Sequence, residues 1–234
     1  MRLSRALVLA CAVVGLVAAT GVSQAYTVYF GEDLGYWPTP PVNSNVARDA
    51  FMARLSGVGT EGFESFALNT AAPLILDFGY ATATLGGEGF VNSGDWAGRH
   101  EVFGTQYWNN MNAGMAIDFS TPQAAFGFYG TDIGDFGGQI TLMLDNSALT
   151  VLTVPNSTNA PNGSTLYYGF VADLGNETFT RIVFGNTDLD DYFGFDNLTI
   201  GTLGQVVPEP MTLLVLGSVL GAAGLYRRLR RRTA

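Results

Sequence analysis

The sequence predicts an all-β fold: a two-sheet, jelly-roll-like sandwich with one short helix near its start and a C-terminal transmembrane helix after it. Short apolar runs recur every roughly 8–12 residues through the middle of the chain, separated by Gly, Asn, Asp and Pro, which is the spacing of strands in a sandwich. Apolar residues alternate inside these runs. Ile117 and Phe119, Phe126 and Phe128, and Ile140, Leu142 and Leu144 each fall on one parity. Only one stretch reads as a soluble helix and the chain holds 30 glycines, so α/β winding is disfavoured.

The elements follow in order. Tyr26 to Phe30 is a short β-like run, and Glu32 to Ser44 reads as a loop with Pro38, Pro40 and Pro41. Ser44 or Asn45 can cap a helix over about 45–56, in which Val46, Ala50, Phe51, Ala53 and Leu55 give a partly amphipathic pattern. Gly57 and Gly59 stop it. Strands are then expected at Gly62–Ala67, Leu74–Phe78, Ala81–Leu85, Gly89–Val91, Tyr107–Trp108, Gly114–Phe119, Ala124–Gly130, Gln139–Leu144, Leu149–Val154, Tyr167–Val171, Phe179–Phe184 and Phe193–Ile200. Phe126-Gly127-Phe128-Tyr129-Gly130, Tyr168-Gly169-Phe170 and Phe193-Gly194-Phe195 echo one another without forming a true repeat. Their aromatics are expected to fill a core while the glycines admit close packing.

Both ends read as targeting segments. Arg2 and Arg5 precede an apolar stretch from Ala6 to Ala19, and Ser23-Gln24-Ala25 supplies a signal-peptidase site, so residues 1–25 are expected to be removed before Tyr26. Cys11 lies inside the apolar stretch rather than at its end, which argues against lipidation. At the other end Pro208-Glu209-Pro210 precedes the 16-residue apolar run Met211 to Tyr226 and then Arg227, Arg228, Arg230, Arg231 and Arg232. As a helix the run would be about 24 Å long, short but workable against a hydrocarbon core of about 30 Å. The arginines hold that end in the cytoplasm, and the prolines keep the backbone extended around Glu209, where a processing enzyme can grip it.

The exported domain, residues 26–205, contains no cysteine and therefore no disulfide. The segment Tyr26 to Val207 has no lysine either: its cations are Arg48, Arg54, Arg99 and Arg181 against 19 acids, a net charge of −15. That argues against nucleic acid and anionic membrane surfaces as partners and suits divalent cations, basic partners or simple solubility, which is the default explanation.

The tail of residues 206–234 resembles the PEP-CTERM sorting signal of Gram-negative bacteria, carried by Pro208-Glu209-Pro210, the single short span and the arginine-rich end. The resemblance implies cleavage of the tail by exosortase, a membrane-embedded cysteine peptidase whose systems usually sit beside exopolysaccharide genes. The body also resembles one group of PEP-CTERM exported proteins, through Phe30 to Leu34, Ala47 to Phe51, Thr60 to Phe66, Phe126 to Asp135 and Phe193 to Gly201. That resemblance implies a β-sandwich and carries no settled activity.

Nucleophilic catalysis is poorly supported: His100 is the only histidine, expected at the surface, and no G-x-S-x-G elbow occurs. One histidine and no mature cysteine cannot build an ordinary zinc site. Calcium is the cofactor the sequence can support. Acids cluster at Asp132 with Asp135, and at Asp188, Asp190 and Asp191 followed by Asp196. The favoured pair is Glu64 with Asp196, by analogy with jelly-rolls that place a first-strand Glu and a last-strand Asp around one structural ion. Trp96, Tyr107 and Trp108 are candidate sugar platforms, with Trp37 in similar turn-rich surroundings and Asn109 and Asn110 as hydrogen-bonding neighbours. The sequons at Asn156, Asn162, Asn176 and Asn197 read as polar loop composition.

The expectation is therefore an exported, exosortase-sorted cell-surface or exopolysaccharide-matrix protein, structural or adhesive and non-enzymatic. Its partners would be signal peptidase, the exosortase and, transiently, the inner membrane. The alternatives are a calcium-assisted, lectin-like carbohydrate-binding module and a carboxylate-dependent glycan hydrolase.

Overall fold

The structure, a computed structural model, describes residues 26–35, 40–111, 114–160, 163–173, 177–188 and 191–203. The signal segment, the Pro208-Glu209-Pro210 motif, the apolar span, the arginine tail and Trp37 lie outside them. Among the described residues no helix is long and apolar enough to cross a membrane.

Two sheets pack face to face. The seven-stranded sheet runs β1 (Tyr26–Leu34), β11 (Ser164–Ala172), β8 (Ala125–Thr131), β13 (Phe193–Leu203), β6 (Tyr107–Asn110) and β5 (Gly89–Asn92), with β2 (Leu55–Glu61) also paired to β13. The six-stranded sheet runs β10 (Val151–Thr153), β9 (Ile140–Leu144), β12 (Phe179–Asn186), β7 (Ala116–Gln123), β4 (Thr82–Gly86) and β3 (Leu74–Asp77). This is the predicted two-sheet sandwich.

The alternation read from sequence is the alternation of the inner face. Phe126, Phe128, Tyr168, Phe170 and Phe195 from the first sheet meet Phe119, Phe179 and Phe184 from the second in one buried cluster. Ring centroids lie 5.3 Å apart for Phe184–Phe195, 5.4 Å for Phe128–Phe195 and 5.4 Å for Phe170–Phe179. Each such pair adds about 0.5–1.5 kcal/mol beyond its buried area.

The opposite face of the first sheet is covered as well. Helix α1 (Val42–Met52) lays Phe51 and Ala47 on Ala125, Tyr129, Tyr167 and Val171. The glycines of the aromatic phrases permit this. A Cβ at Gly127 would strike Tyr167 and Phe51, one at Gly169 would strike Phe51, and one at Gly194 would strike Thr131 and crowd Tyr107 and Arg99.

Two expectations are corrected. The helix spans Val42–Met52 rather than 45–56, and neither Ser44 nor Asn45 is its N-cap. Its exposed N–H groups are satisfied from a distance. The Asp33 carboxylate accepts from the Asn43 N–H at 2.8 Å, the Ser44 N–H at 2.9 Å and the Ser44 hydroxyl at 2.6 Å, so the helix starts one turn early. The second concerns Leu55 to Glu61, expected to end the helix, which is strand β2, whereas Gly62 to Ala67, expected as a strand, is a turn. Gly57 and Gly59 are strand glycines: a Cβ at Gly59 would collide with the Phe78 carbonyl.

Candidate functional site

The long connection from β5 to β6, residues 93–106, folds back over the outer face of the seven-stranded sheet. Two carboxylates hold it. Asp196, on β13, accepts from the Val102 and Phe103 N–H groups, both at 2.8 Å, and from its neighbour Asn197 at 2.6 Å. Glu64, in the turn after β2, accepts from the Thr105 N–H at 2.7 Å, the Thr105 hydroxyl at 2.8 Å and the Gln106 N–H at 2.8 Å. The residues expected to grip calcium do converge on one loop, and what they bind there is its backbone. Glu64 is not on the first strand, which is β1. A register shift between Asp196 and Thr199, with Asn197 at φ 46°, is the bulge that turns Asp196 toward the loop. Burial pushes Asp196 up to about 7 against its three N–H donors. At Glu64 burial acts in the same direction but is outweighed by the bonds from Thr105 and Gln106, which hold its carboxyl below the usual range.

The same loop carries Trp96, Arg99 and His100. The Arg99 guanidinium carbon stands 5.3 Å from the Trp96 ring centre and 5.7 Å from that of Tyr192. Arg99 also donates to the Asn109 side-chain oxygen at 3.0 Å and to the Trp96 carbonyl at 3.2 Å. The guanidinium is buried, while Trp96 and Tyr192 are 46% and 37% exposed. The arrangement is two partly exposed rings in contact with one buried cation. His100, expected at the surface, is buried: one ring nitrogen lies 3.0 Å from the Gly98 carbonyl and the other 3.4 Å from the Thr165 hydroxyl. Burial holds its pKa below the ordinary value.

Near Arg99, one member of the second acidic cluster, Asp191, joins Asp132 and Asp135 of the first, while Asp196 stays with the loop. Asp132 and Asp135 follow β8, Asp191 precedes β13, and the neighbouring carboxyl of Asp135 acts on both of the others. Burial, then Asp135, pushes Asp132 up to about 8, although Arg99 Nε lies 3.9 Å from its Oδ2. Burial, then Asp135, raises Asp191 to about 7. Oδ1 of Asp132 is buried without a hydrogen-bond donor, while the carboxyls of Asp135 and Asp191 lie close enough to hydrogen-bond to each other, which favours a proton on Asp191. The Gly134 N–H comes near enough to Asp191 to favour its charge.

Of the predicted sugar platform only Trp96 is available. Tyr107 and Trp108 are fully buried, with Trp108 stacked on Phe63 in the core. Asn109 serves Arg99 and is likewise buried. Tyr192 and Arg99 went unrecognised, although Tyr192 directly follows an acidic run and Arg99 is one of the domain's few cations. A cleft of about 350 Å³ opens elsewhere on this face, between α1 and β2, lined by Arg48, Asp49, Met52, Thr60, Tyr129, Asn197 and Thr199.

No protein-family model matches the chain, and no curated protein sequence does. Among solved structures, the chain is similar to the K2 cleaved adhesin domain of Lys-gingipain, at TM-score 0.40 and 15% identity over 63% of this chain and 98% of that one. It is similar to the CBM22-1 xylan-binding domain of Xyn10C from Paenibacillus barcinonensis at TM-score 0.35 and 10% identity, covering 63% and 94%. A family 29 carbohydrate-binding module overlaps at TM-score 0.28 and 13% identity, covering 80% and 98%. These overlaps are partial and assign no role to any residue of this chain.

Proposed function

We propose that the chain is an exported, non-enzymatic adhesive protein of the cell surface or exopolysaccharide matrix that binds glycan across Trp96 and Tyr192. The observation that carries this reading is the pair of partly exposed rings that both meet the buried Arg99 guanidinium. An aromatic face fixed in advance stacks on a sugar ring at little entropic cost, and both rings are held against Arg99. Export and sorting rest on the sequence of the two ends, with Glu209 between its prolines as the processing residue.

A hydrolase is the weaker account. Glycan cleavage needs two carboxylates on an open groove, one of them protonated. The acids with raised pKa values, Asp132, Asp191 and Asp196, are 5%, 2% and 1% exposed, beneath the surface a substrate would reach. The cleft between α1 and β2 carries a single acid, Asp49.

Native affinity electrophoresis in gels containing the host exopolysaccharide tests the binding reading. The wild type should be retarded and the Trp96→Ala, Tyr192→Ala double variant should run freely. Equal retardation of the two would move the binding surface to the cleft over Tyr129. For sorting, Glu209→Ala should leave the protein membrane-bound with its C-terminal mass intact. A processed mass in that variant would remove the assignment.

A further inference from the structure

The cleft of about 350 Å³ between α1 and β2 takes no part in the ring site. Its size lies at the lower end of small-molecule sites, which run from about 300 to 1,000 Å³. Helix α1 lines it with Arg48, Asp49 and Met52, and strands β2 and β13 line it with Thr60, Asn197 and Thr199.

The polar groups there do not use one another up. Both bonds from Arg48 to Asp49, from Nε at 2.9 Å and from Nη2 at 2.7 Å, end on Oδ1. Oδ2 is left as an acceptor on a side chain that is 68% exposed. The Thr199 hydroxyl donates to the Asn197 carbonyl at 3.0 Å, so in its 3.0 Å contact with the Thr60 hydroxyl the proton comes from Thr60. Thr60, exposed, therefore meets the cleft as an acceptor. The Asn197 amide brings both a donor and an acceptor. Its φ of 46°, which Asn tolerates better than most residues, belongs to the same bulge that turns Asp196 toward the β5–β6 loop. Apolar surface lies beside these groups: Met52 lines the cleft, and the Arg48 guanidinium carbon stands 5.1 Å from the centre of the half-exposed Phe103 ring.

We propose that this cleft binds a short neutral saccharide, one or two rings long, through Arg48, Asp49, Thr60 and Asn197.

A sugar presents adjacent hydroxyls, each both donor and acceptor, around an apolar C–H face. The cleft answers each part. Asp49 Oδ2 and Thr60 accept from hydroxyl protons, the Arg48 guanidinium and the Asn197 amide donate to hydroxyl oxygens, and Met52 meets the C–H face. Charge selects within the class. Arg48 and Asp49 cancel each other, so neither a carboxylate nor an ammonium gains a net partner there. The net charge of −15 over Tyr26 to Val207 repels acidic sugars further.

This site goes beyond the ring site and stands if Trp96 and Tyr192 bind nothing. A contact of one or two rings is weak, so binding of free ligand reads it better than retardation in a polymer gel. Saturation-transfer NMR on the full-length chain in mild detergent is the test. The neutral probes are cellobiose, laminaribiose and mannobiose; the charged ones are a glucuronic acid–glucose disaccharide and an unacetylated glucosamine disaccharide. At least one neutral disaccharide should receive saturation, and the charged ones should not. Asp49→Ala, at an exposed helix position, removes a charged acceptor and should weaken the affinity about tenfold. Thr60→Trp fills the cleft from an exposed strand position and should abolish the transfer. Should Thr60→Trp fail to fold, Asp49→Ala carries the comparison alone. No transfer to any neutral disaccharide overturns the proposal. So does transfer kept in full by Thr60→Trp; if the Trp96→Ala, Tyr192→Ala double variant then loses it, the sugar sits on the rings and only the cleft site fails. Transfer that Thr60→Trp abolishes but that the glucuronic acid disaccharide shows equally overturns the neutral class.

Discussion

Two groups of acids in this domain are used in opposite ways. Glu64 and Asp196 have every oxygen occupied by N–H or hydroxyl donors, all from one loop except the Asn197 N–H on Asp196. Asp132, Asp135 and Asp191 face one another, with few backbone donors reaching them. The first pair binds backbone; in the second group burial and the neighbouring carboxyl favour the protonated form of Asp132 and Asp191. Composition cannot separate the two, because both are Asp and Glu in glycine-rich turns. What separates them is whether backbone donors reach the carboxylate.

The largest effect should come from breaking the filled pair. Asp196→Ala strands the Val102 and Phe103 N–H groups and should cost about 3 kcal/mol, read as a fall in the urea midpoint. A loss below about 1 kcal/mol would mean that the loop is not held by this carboxylate. Crowding the face that the loop and helix share comes next. Gly169→Val drives a side chain into Phe51 and should cost about 2 kcal/mol, with α1 protection from hydrogen exchange falling first. Removing a member of the second group should do little by contrast: Asp191→Asn should change stability by about 1 kcal/mol or less, in either direction. A penalty as large as that of Asp196→Ala would erase the distinction between the two groups.

Titration sharpens the comparison further. The Asp196 carboxyl should titrate near 7 and Glu64 below its usual range, followed by the carboxyl carbon shifts in NMR. The signs are opposite. Asp196 binds its proton more tightly when folded, so its contribution is present at low pH and is lost as pH rises from about 4 to about 7. Glu64 binds its proton less tightly when folded, so its contribution is present at neutral pH and is lost on acidification. The smallest effect on stability belongs to Trp96→Ala, within about 0.5 kcal/mol because the ring is half exposed. Its glycan affinity should nevertheless fall about tenfold.

The sandwich was legible because period-2 alternation reports burial directly, and Phe126, Phe128, Ile140, Leu142 and Leu144 all face the core as their parity requires. The boundary at Leu55 was not. Ser-Gly-Val-Gly reads as a breaker, and only pairing with β13 makes it a strand. Trp108 and Tyr107 misled for a related reason: polar neighbours in sequence say nothing about a loop that folds over them. The convergence of Asp132 with Asp191 depends on β8 and β13 being neighbours, with Gly194 opposite Thr131, a pairing that no local pattern encodes. The strong negative charge read as solubility, whereas much of it is spent inside the molecule holding backbone amides.

Strand β13 runs from Phe193 to Leu203, bonded along one edge to β8 and along the other first to β6 and then to β2. Tension entering through Leu203 is directed along that strand, so its ladder bonds are loaded together in shear rather than peeled apart singly. A protein tethered through this end in flowing liquid would meet drag with the most securely bonded strand of the sheet, and the weak link under pulling would lie elsewhere in the fold.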